Sequence, residues 1–263
     1  VKKFPIALTV AGSDSGGGAG IQTDLKTFAA LNVFGVSVIT AITAQNTREV
    51  LDTCPLYPEE VESQLEAIFD DFAVRAVKTG MLADGDIVSV VARKLKTSRI
   101  RNLVVDPVLV AKSGARLLTA DGAEVLVKKL FPLAALITPN LPEAEALSGM
   151  KIRNDEDYRK AAEKLLGFGP RAVVIKGGHR QGGAHDFFFD GKKAVWLRAE
   201  RVKITAVHGS GCIFSAAICA NLVKGKSLLA SVKTAKGFMN RLLKSPFKPG
   251  RGHWVADPVL QSH

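Results

Sequence analysis

Ile6-Ala7-Leu8-Thr9-Val10-Ala11 runs straight into Gly12-Ser13-Asp14-Ser15-Gly16-Gly17-Gly18-Ala19-Gly20. An apolar run of strand length thus ends in a tract of small residues, and the tract opens a helical period. Ser15 to Gly20 are all small, so the backbone there can approach a ligand and leave helix N–H groups free. The tract is no Walker loop, because no Gly-Lys-Ser/Thr follows. Asp14 and Ser15 occupy the turn that a Gly-x-Gly-x-x-Gly fingerprint needs. A flexible turn is the plainer alternative. Asp24, one turn inside the helix, points toward the same end.

Working outward, the alternation of strand and helix continues to the end of the chain. Strand-like runs are Val36–Thr43, Ala76–Thr79, Leu103–Asp106, Ala135–Thr138 and Ala172–Lys176. Between them, Val61, Leu65 and Ile68 repeat at helical spacing, as do Ile87, Val90, Val91 and Leu95. This order predicts an α/β fold whose central, mostly parallel sheet carries helices on both faces. Phe187–Phe189 and Ala194–Leu197 flank Asp190-Gly191, which predicts a two-residue hairpin at the sheet edge. Helices are expected at Gly211–Lys224 and Ser227–Lys244, with Gly225 at positive φ between them. With no linker, repeat or low-complexity tract, residues 1–263 read as one domain.

Composition narrows the function classes. The 263 residues are 47% hydrophobic, enough for a core without staples, and no apolar run reaches membrane length. Val1-Lys2-Lys3-Phe4-Pro5 is too short for a targeting segment. Cys54, Cys212 and Cys219 are too few and too far apart for a disulfide framework, which points to a reducing compartment, the cytoplasm. The net charge of +11 comes from scattered Lys and Arg with 6% aromatics and no stacking motif, so neither nucleic acid nor membrane is expected as a partner.

Parallel α/β sheets build their sites at the carboxyl ends of strands, and the informative residues fall there. Gln45 offers a donor and an acceptor in one plane, which suits a ring with an amino group beside a ring nitrogen; an ordinary loop amide is the alternative. Asp106, fixed by Pro107 just past a strand, can hold hydrated Mg²⁺. Asn140 and Glu143, three apart beside Pro142, can face one metal or its waters, or cap a helix. Lys176, at a strand end before Gly177-Gly178-His179, is placed to meet a phosphate. Gly209-Ser210-Gly211, opening an apolar helix after His208, makes an anion hole that suits a phosphoryl group in transfer. Cys212 lies in the first helical turn, where the field is expected to lower a thiol pKa and make it a proton acceptor. Cys219 reads as a small buried residue.

The stretches AGSDSGGGAGIQTDLKTFAAL, VITAITAQNT, VDPVLVAKSG, LITPNLPEAEAL, VVIKGGH and HGSGC, in this order, resemble the hydroxymethylpyrimidine/phosphomethylpyrimidine kinases of thiamine biosynthesis, in the ribokinase-like superfamily. The similarity spans nearly the whole chain. It implies a ribokinase-like fold, a homodimer, ATP as co-substrate and Mg²⁺. It implies that Gly12, Asp24, Gln45, Met81 and Val108 line a pyrimidine pocket. Asp106, Asn140 and Glu143 would serve the metal and phosphates, with Asn140, Lys176, Thr205, Gly209 and Gly211 on the nucleotide. Gly209, Ser210 and Gly211 would form the anion hole and Cys212 the base. The implied reaction phosphorylates 4-amino-5-hydroxymethyl-2-methylpyrimidine and then its monophosphate. Pyridoxal kinase and a non-catalytic ligand-binding relative are the rival readings. Two stretches depart from the family: Ile204-Thr205-Ala206-Val207 lacks its usual polar residues, and the tail from about residue 250 is expected to be irregular.

Overall fold

The computed structural model describes residues 4–111, 114–177, 184–199 and 207–260. Nine strands form one sheet in the order β3-β2-β1-β4-β5-β6-β7-β8-β9. In chain order they are β1 (Ile6–Asp14), β2 (Phe34–Gln45), β3 (Val50–Pro55), β4 (Ala76–Thr79), β5 (Leu103–Val105), β6 (Leu136–Ile137), β7 (Val173–Ile175), β8 (Asp186–Phe189) and β9 (Ala194–Leu197). From β2 to β7 the neighbours are parallel; β3, β8 and β9 add antiparallel edges.

Both faces of the sheet are covered, and strand periodicity divides its residues between them. Leu8, Val105 and Val173 join one apolar core, with Val61 and Leu65 of α2 (Pro58–Asp71) and Ile87, Val91 and Leu95 of α3 (Gly85–Thr97). Ala7, Val104 and Val174, one residue out of phase, join the other. That second core is closed by α1 (Gly20–Ala30), α7 (Ser210–Val223) and α8 (Leu228–Leu242). Every residue of α7 from Ile213 to Val223 is buried, so α7 is a core helix with no solvent stripe. Among the described residues, no helix is long and apolar enough to cross a membrane.

Helix starts follow their caps. Asp84 Oδ1 accepts from Ile87 N at the start of α3. Asn140 and Glu143 exchange side-chain and backbone bonds as a capping box on α5 (Leu141–Ser148). The chain also holds α4 (Ala120–Val125) and α6 (Asp155–Leu166). Gly225 sits at φ 84°, as expected after α7.

Two sequence expectations change. The antiparallel strand β3 was not foreseen, because Val50–Pro55 is mostly exposed and lacks an apolar face. The β8–β9 loop has four residues rather than two: Phe189 pairs with Ala194, and Asp190 Oδ1 accepts from Lys192 N and Lys193 N. From about residue 250 the tail is bends and turns apart from one two-residue strand, and it is tied down through residue 260. Its strand β11 (Trp254–Val255) pairs in parallel with β10 (Val207–His208), His253 N donates to Thr47 O, and Asp257 pairs with Lys26.

Candidate active site

Strand β1 has β2 on one side and β4 on the other, so the sheet order reverses there. At such a point the carboxyl ends of strands diverge and leave a crevice. One cavity occupies it, bordered by Gly12, Gln45, Met81, Asp106, Val108, Asn140, Glu143, Lys176 and the run His208 to Cys212. These residues span more than half the chain, and the sheet brings them to one edge.

One end of the cavity is built for anions. Gly209, at φ 76°, starts α7 without a side-chain cap, so first-turn N–H groups have no side-chain acceptor. A Cβ on Gly209 would lie within 1.8 Å of Gly18 O, so only glycine lets this turn sit against the glycine tract. Lys176 Nζ donates to Asp106 Oδ1 at 2.7 Å, and a Cβ on Gly211 would come within 3.3 Å of that nitrogen. Burial pulls the Lys176 ammonium down, but Asp106 and Glu143 outweigh it and hold its pKa above the usual value. Burial pushes the Glu143 carboxyl up; Lys176 opposes this and Asp106 adds to it.

The carboxylates suit a hydrated Mg²⁺ rather than a protein cage. Glu143 accepts from Asn140 N and Leu109 N; Asp106 accepts from Lys176, Thr138 and Ser215. Among the described residues no three His, Cys, Asp or Glu groups converge. Two buried hard carboxylates beside an anion site fit a cation shared with phosphates. Asn140 Oδ1 accepts from Glu143 N, so the side chain expected to face metal is engaged as a helix cap.

The other end suits a flat ring. Gly12 faces Met81, whose Sδ would lie 3.0 Å from a Cβ at that position. Val108 sits at φ 42°, where a β-branched residue is strained by about 1–3 kcal/mol. Glu143 holds that turn by accepting from Leu109 N. Gln45 Oε1 lies 3.2 Å from Thr43 Oγ1, and Gln45 Nε2 lies 3.1 Å from His208 Nε2.

Two expectations are corrected. Asp24 does not border the cavity: it is wholly buried one layer behind, accepting from Lys78 Nζ at 2.7 Å and Thr9 Oγ1 at 2.6 Å. The Cys212 thiol is not lowered. Burial pushes it from 9.0 up to about 11, with Asp24 and Asp106 adding, against Lys78 and a hydrogen bond from Gly20 N. Desolvation of the charged form is the largest cause. Thr205, Gly178 and His179 lie outside the described residues.

Three cavity residues were missed. Lys78 lies in a strand whose four residues are all buried, and a lysine there demands a counter-ion, which Asp24 supplies from 54 residues away. Asp14 clamps the glycine tract: Oδ1 accepts from Gly16 N, and Oδ2 from Gly18 N and Ala19 N. Burial raises its carboxyl, but His208 and these N–H groups hold it below the usual range. The signal for Asp14 was an Asp directly before six small residues, Ser15 to Gly20; His208 gave none beyond its place before the anion hole.

A parallel sheet crossed at its switch point by a helix N-terminus, with a lysine and paired carboxylates facing a ring-sized pocket, defines the ribokinase-like class of small-molecule phosphotransferases. Comparison with known proteins narrows this. A profile of the phosphomethylpyrimidine kinase family matches residues 14–257. The hydroxymethylpyrimidine/phosphomethylpyrimidine kinase of Aquifex aeolicus is 42% identical over 253 residues, covering 96% of this chain and 99% of that one. Among solved structures, a phosphomethylpyrimidine kinase from Clostridium difficile superposes with a TM-score of 0.81 at 42% identity, over 90% of this chain and 98% of that one. An ADP complex of Bacillus subtilis pyridoxal kinase gives 0.91 at 38% identity, over 98% and 99%. The chain belongs to the phosphomethylpyrimidine kinase family.

Proposed function

We propose that this protein transfers the γ-phosphoryl group of ATP to the hydroxymethyl of 4-amino-5-hydroxymethyl-2-methylpyrimidine, and then a second phosphoryl to the monophosphate, in the cytoplasm. The observation that carries the reading is one cavity with an amide-lined ring pocket at one end and the Gly209–Cys212 anion site facing Lys176 at the other. In this reading the whole chain is one kinase domain and works as a homodimer.

Gln45 pairs with the amino and ring-nitrogen edge, while Gly12, Met81 and Val108 wall the ring. Lys176 meets the nucleotide phosphates, and the first-turn N–H groups of α7 take the charge on the equatorial oxygens in transfer. The hydroxymethyl oxygen bonds to the γ-phosphorus as the bond to the ADP oxygen breaks, and the hydroxyl proton passes to the Cys212 thiolate. Mg²⁺, when bound through Asp106 and Glu143, neutralises phosphate charge. Because burial raises the Cys212 thiol to about 11, the base at neutral pH is its small thiolate population, and the flux through it rises with pH.

Phosphorylation of pyridoxal is the second reading, favoured by the fold match to the Bacillus subtilis enzyme. A non-catalytic role is disfavoured by Lys176 and Cys212 bordering the same cavity. ADP release over a panel of hydroxymethyl heterocycles and their monophosphates tests all three. Turnover confined to pyridoxal selects the second reading, and nucleotide binding without ADP release on any alcohol selects the third.

A further inference from the structure

Two hydrogen-bond conflicts flank the Gln45 amide, and one half-turn removes both. His208 Nε2 lies 3.1 Å from Asp14 Oδ2 and also 3.1 Å from Gln45 Nε2. One ring nitrogen cannot donate to a carboxylate and accept from an amide N–H together. At the other end of the amide, Thr43 Oγ1 lies 2.9 Å from Ser13 O and 3.2 Å from Gln45 Oε1. A hydroxyl has one proton, and the closer carbonyl claims it. Turning the amide end for end puts Oε1 toward His208 and Nε2 toward Thr43, and each of these contacts then joins a donor to an acceptor. His208 Nε2–H is shared between Asp14 and Gln45 Oε1. Gln45 Nε2–H donates to Thr43 Oγ1, and Thr43 donates to Ser13 O.

We infer that His208, oriented by Asp14, is a positioning residue that fixes which end of the Gln45 amide faces which side of the pocket, and so which way round the substrate ring binds. The inference deepens the proposed pyrimidine kinase reading and rests on it for the substrate. In this arrangement Gln45 keeps one free acceptor on the His208 side and one free N–H on the Thr43 side. An amino group beside a ring nitrogen must then place its N–H toward His208 and the ring nitrogen toward Thr43. The hydroxymethyl is the ring neighbour of the amino group, so it lies on the His208 side. From there the chain runs directly into Gly209–Cys212, the anion site. The opposite amide would turn the ring over and carry the hydroxyl away from it.

The rest of the fold holds this chain of donors in place. Asp14 is nearly sealed and already bonded to Gly16, Gly18 and Ala19, so it cannot turn away from His208. The His208 ring is packed so closely on Gly18 that a Cβ there would lie 2.7 Å from Cδ2. The His208 backbone is paired with Val255 in β11. Ser15 fixes the Gln45 backbone by donating to its carbonyl and accepting from its N–H.

Two measurements test the inference. The first is the imidazole ¹⁵N spectrum of the ligand-free full chain, with His208 assigned by its loss in His208→Phe. A proton bonded to Nε2 is expected; a bare Nε2 with the proton on Nδ1 alone overturns the inference. The second compares the pyrimidine alcohol with the analogue lacking the 4-amino group. Wild type is expected to prefer the amino compound by about tenfold or more in kcat/KM, the worth of one matched polar pair. His208→Phe should bring that preference close to one with the KM for ATP little changed, and His208→Gln, which restores an N–H, should recover part of it. Equal losses on both alcohols, with the preference intact, would reduce His208 to packing and sink the inference. If wild type phosphorylates neither alcohol, the proposed substrate fails, while the ¹⁵N spectrum still decides the polarity of the chain.

Discussion

Two lysine–aspartate pairs, one on β4 and one just after β7, differ in what surrounds them. Lys78 in β4 and Lys176 after β7 both place Nζ 2.7 Å from a carboxylate oxygen. The Lys78 and Asp24 side chains are both 0% exposed, whereas Lys176 keeps 16%. Asp24 Oδ1 has no hydrogen-bond partner among the described residues, while Asp106 shares its oxygens among Lys176, Thr138 and Ser215. The sealed pair is a fixed charge arrangement built into the core; the open pair keeps its cation at the cavity, where the proposed function has it meet a phosphate. Burial decides between these roles, since a charge without solvent cannot be left unpaired even briefly.

The largest expected effect breaks the sealed pair. Lys78→Met removes the cation that opposes burial at Asp24, so the carboxyl must stay charged without a partner or take up a proton, and should cost about 3–5 kcal/mol of stability in urea unfolding. Lys78→Met with Asp24→Leu should recover most of it. If Lys78→Met unfolds at the same urea concentration as Lys176→Met, the two pairs do not differ in kind.

Cys212 feels both lysines, so it reads the comparison from the middle. Cys212→Ser should lower single-turnover phosphoryl transfer by at least about a hundredfold, as loss of a general base does, with the melting temperature close to wild type. A rate within about threefold would reduce Cys212 to packing. The pH dependence has a definite sign. The thiol is raised from 9.0 to about 11, so its contribution to stability is complete below 9.0 and is lost as pH rises through about 11. The proposed mechanism uses the thiolate, so the wild-type rate should rise about tenfold per pH unit from neutrality toward that range. A flat profile in single turnover would separate the base role from Cys212.

A smaller effect belongs to the open pair. Lys176→Met should reduce kcat/KM for ATP by about 10- to 100-fold, the worth of a charged hydrogen bond, and cost less stability than Lys78→Met, because Asp106 keeps Thr138 and Ser215 as donors. Steady-state kinetics beside urea unfolding would show it; a stability loss as large as that of Lys78→Met would make this pair structural too. The smallest effect lies at the ring end, away from both pairs. Gln45→Leu should lower kcat/KM for the pyrimidine about tenfold with the KM for ATP little changed, since it leaves one polar edge unpaired at about 1–3 kcal/mol. Unchanged pyrimidine kinetics would remove Gln45 from the site.

The site was legible where local chemistry announces itself. Glycines that need close approach, as in Gly209-Ser210-Gly211, and residues just past apolar runs, such as Asp106 and Lys176, were readable because a strand end followed by a turn is a local pattern. Asp24 was misplaced for a reason of direction. Helical spacing puts it near the right end of α1, but its side chain turns inward to Lys78, a partner 54 residues away. The Cys212 pKa was misjudged because the helix field is local, while the burial that raises the thiol comes from packing by distant elements.

Alternating apolar periods, short connections and glycine tracts carry the layered α/β fold and the order of its parts, because hydrogen bonding and apolar burial within each segment depend on that segment's own residues. Pairings such as Lys78 with Asp24 and His208 with Asp14 are of another kind. They exist because the sheet brings strand ends from remote parts of the chain within hydrogen-bond reach, with Asp14 and His208 separated by 194 positions. The energy of such a pair depends on the burial and the third groups around it, and those are properties of the assembled core.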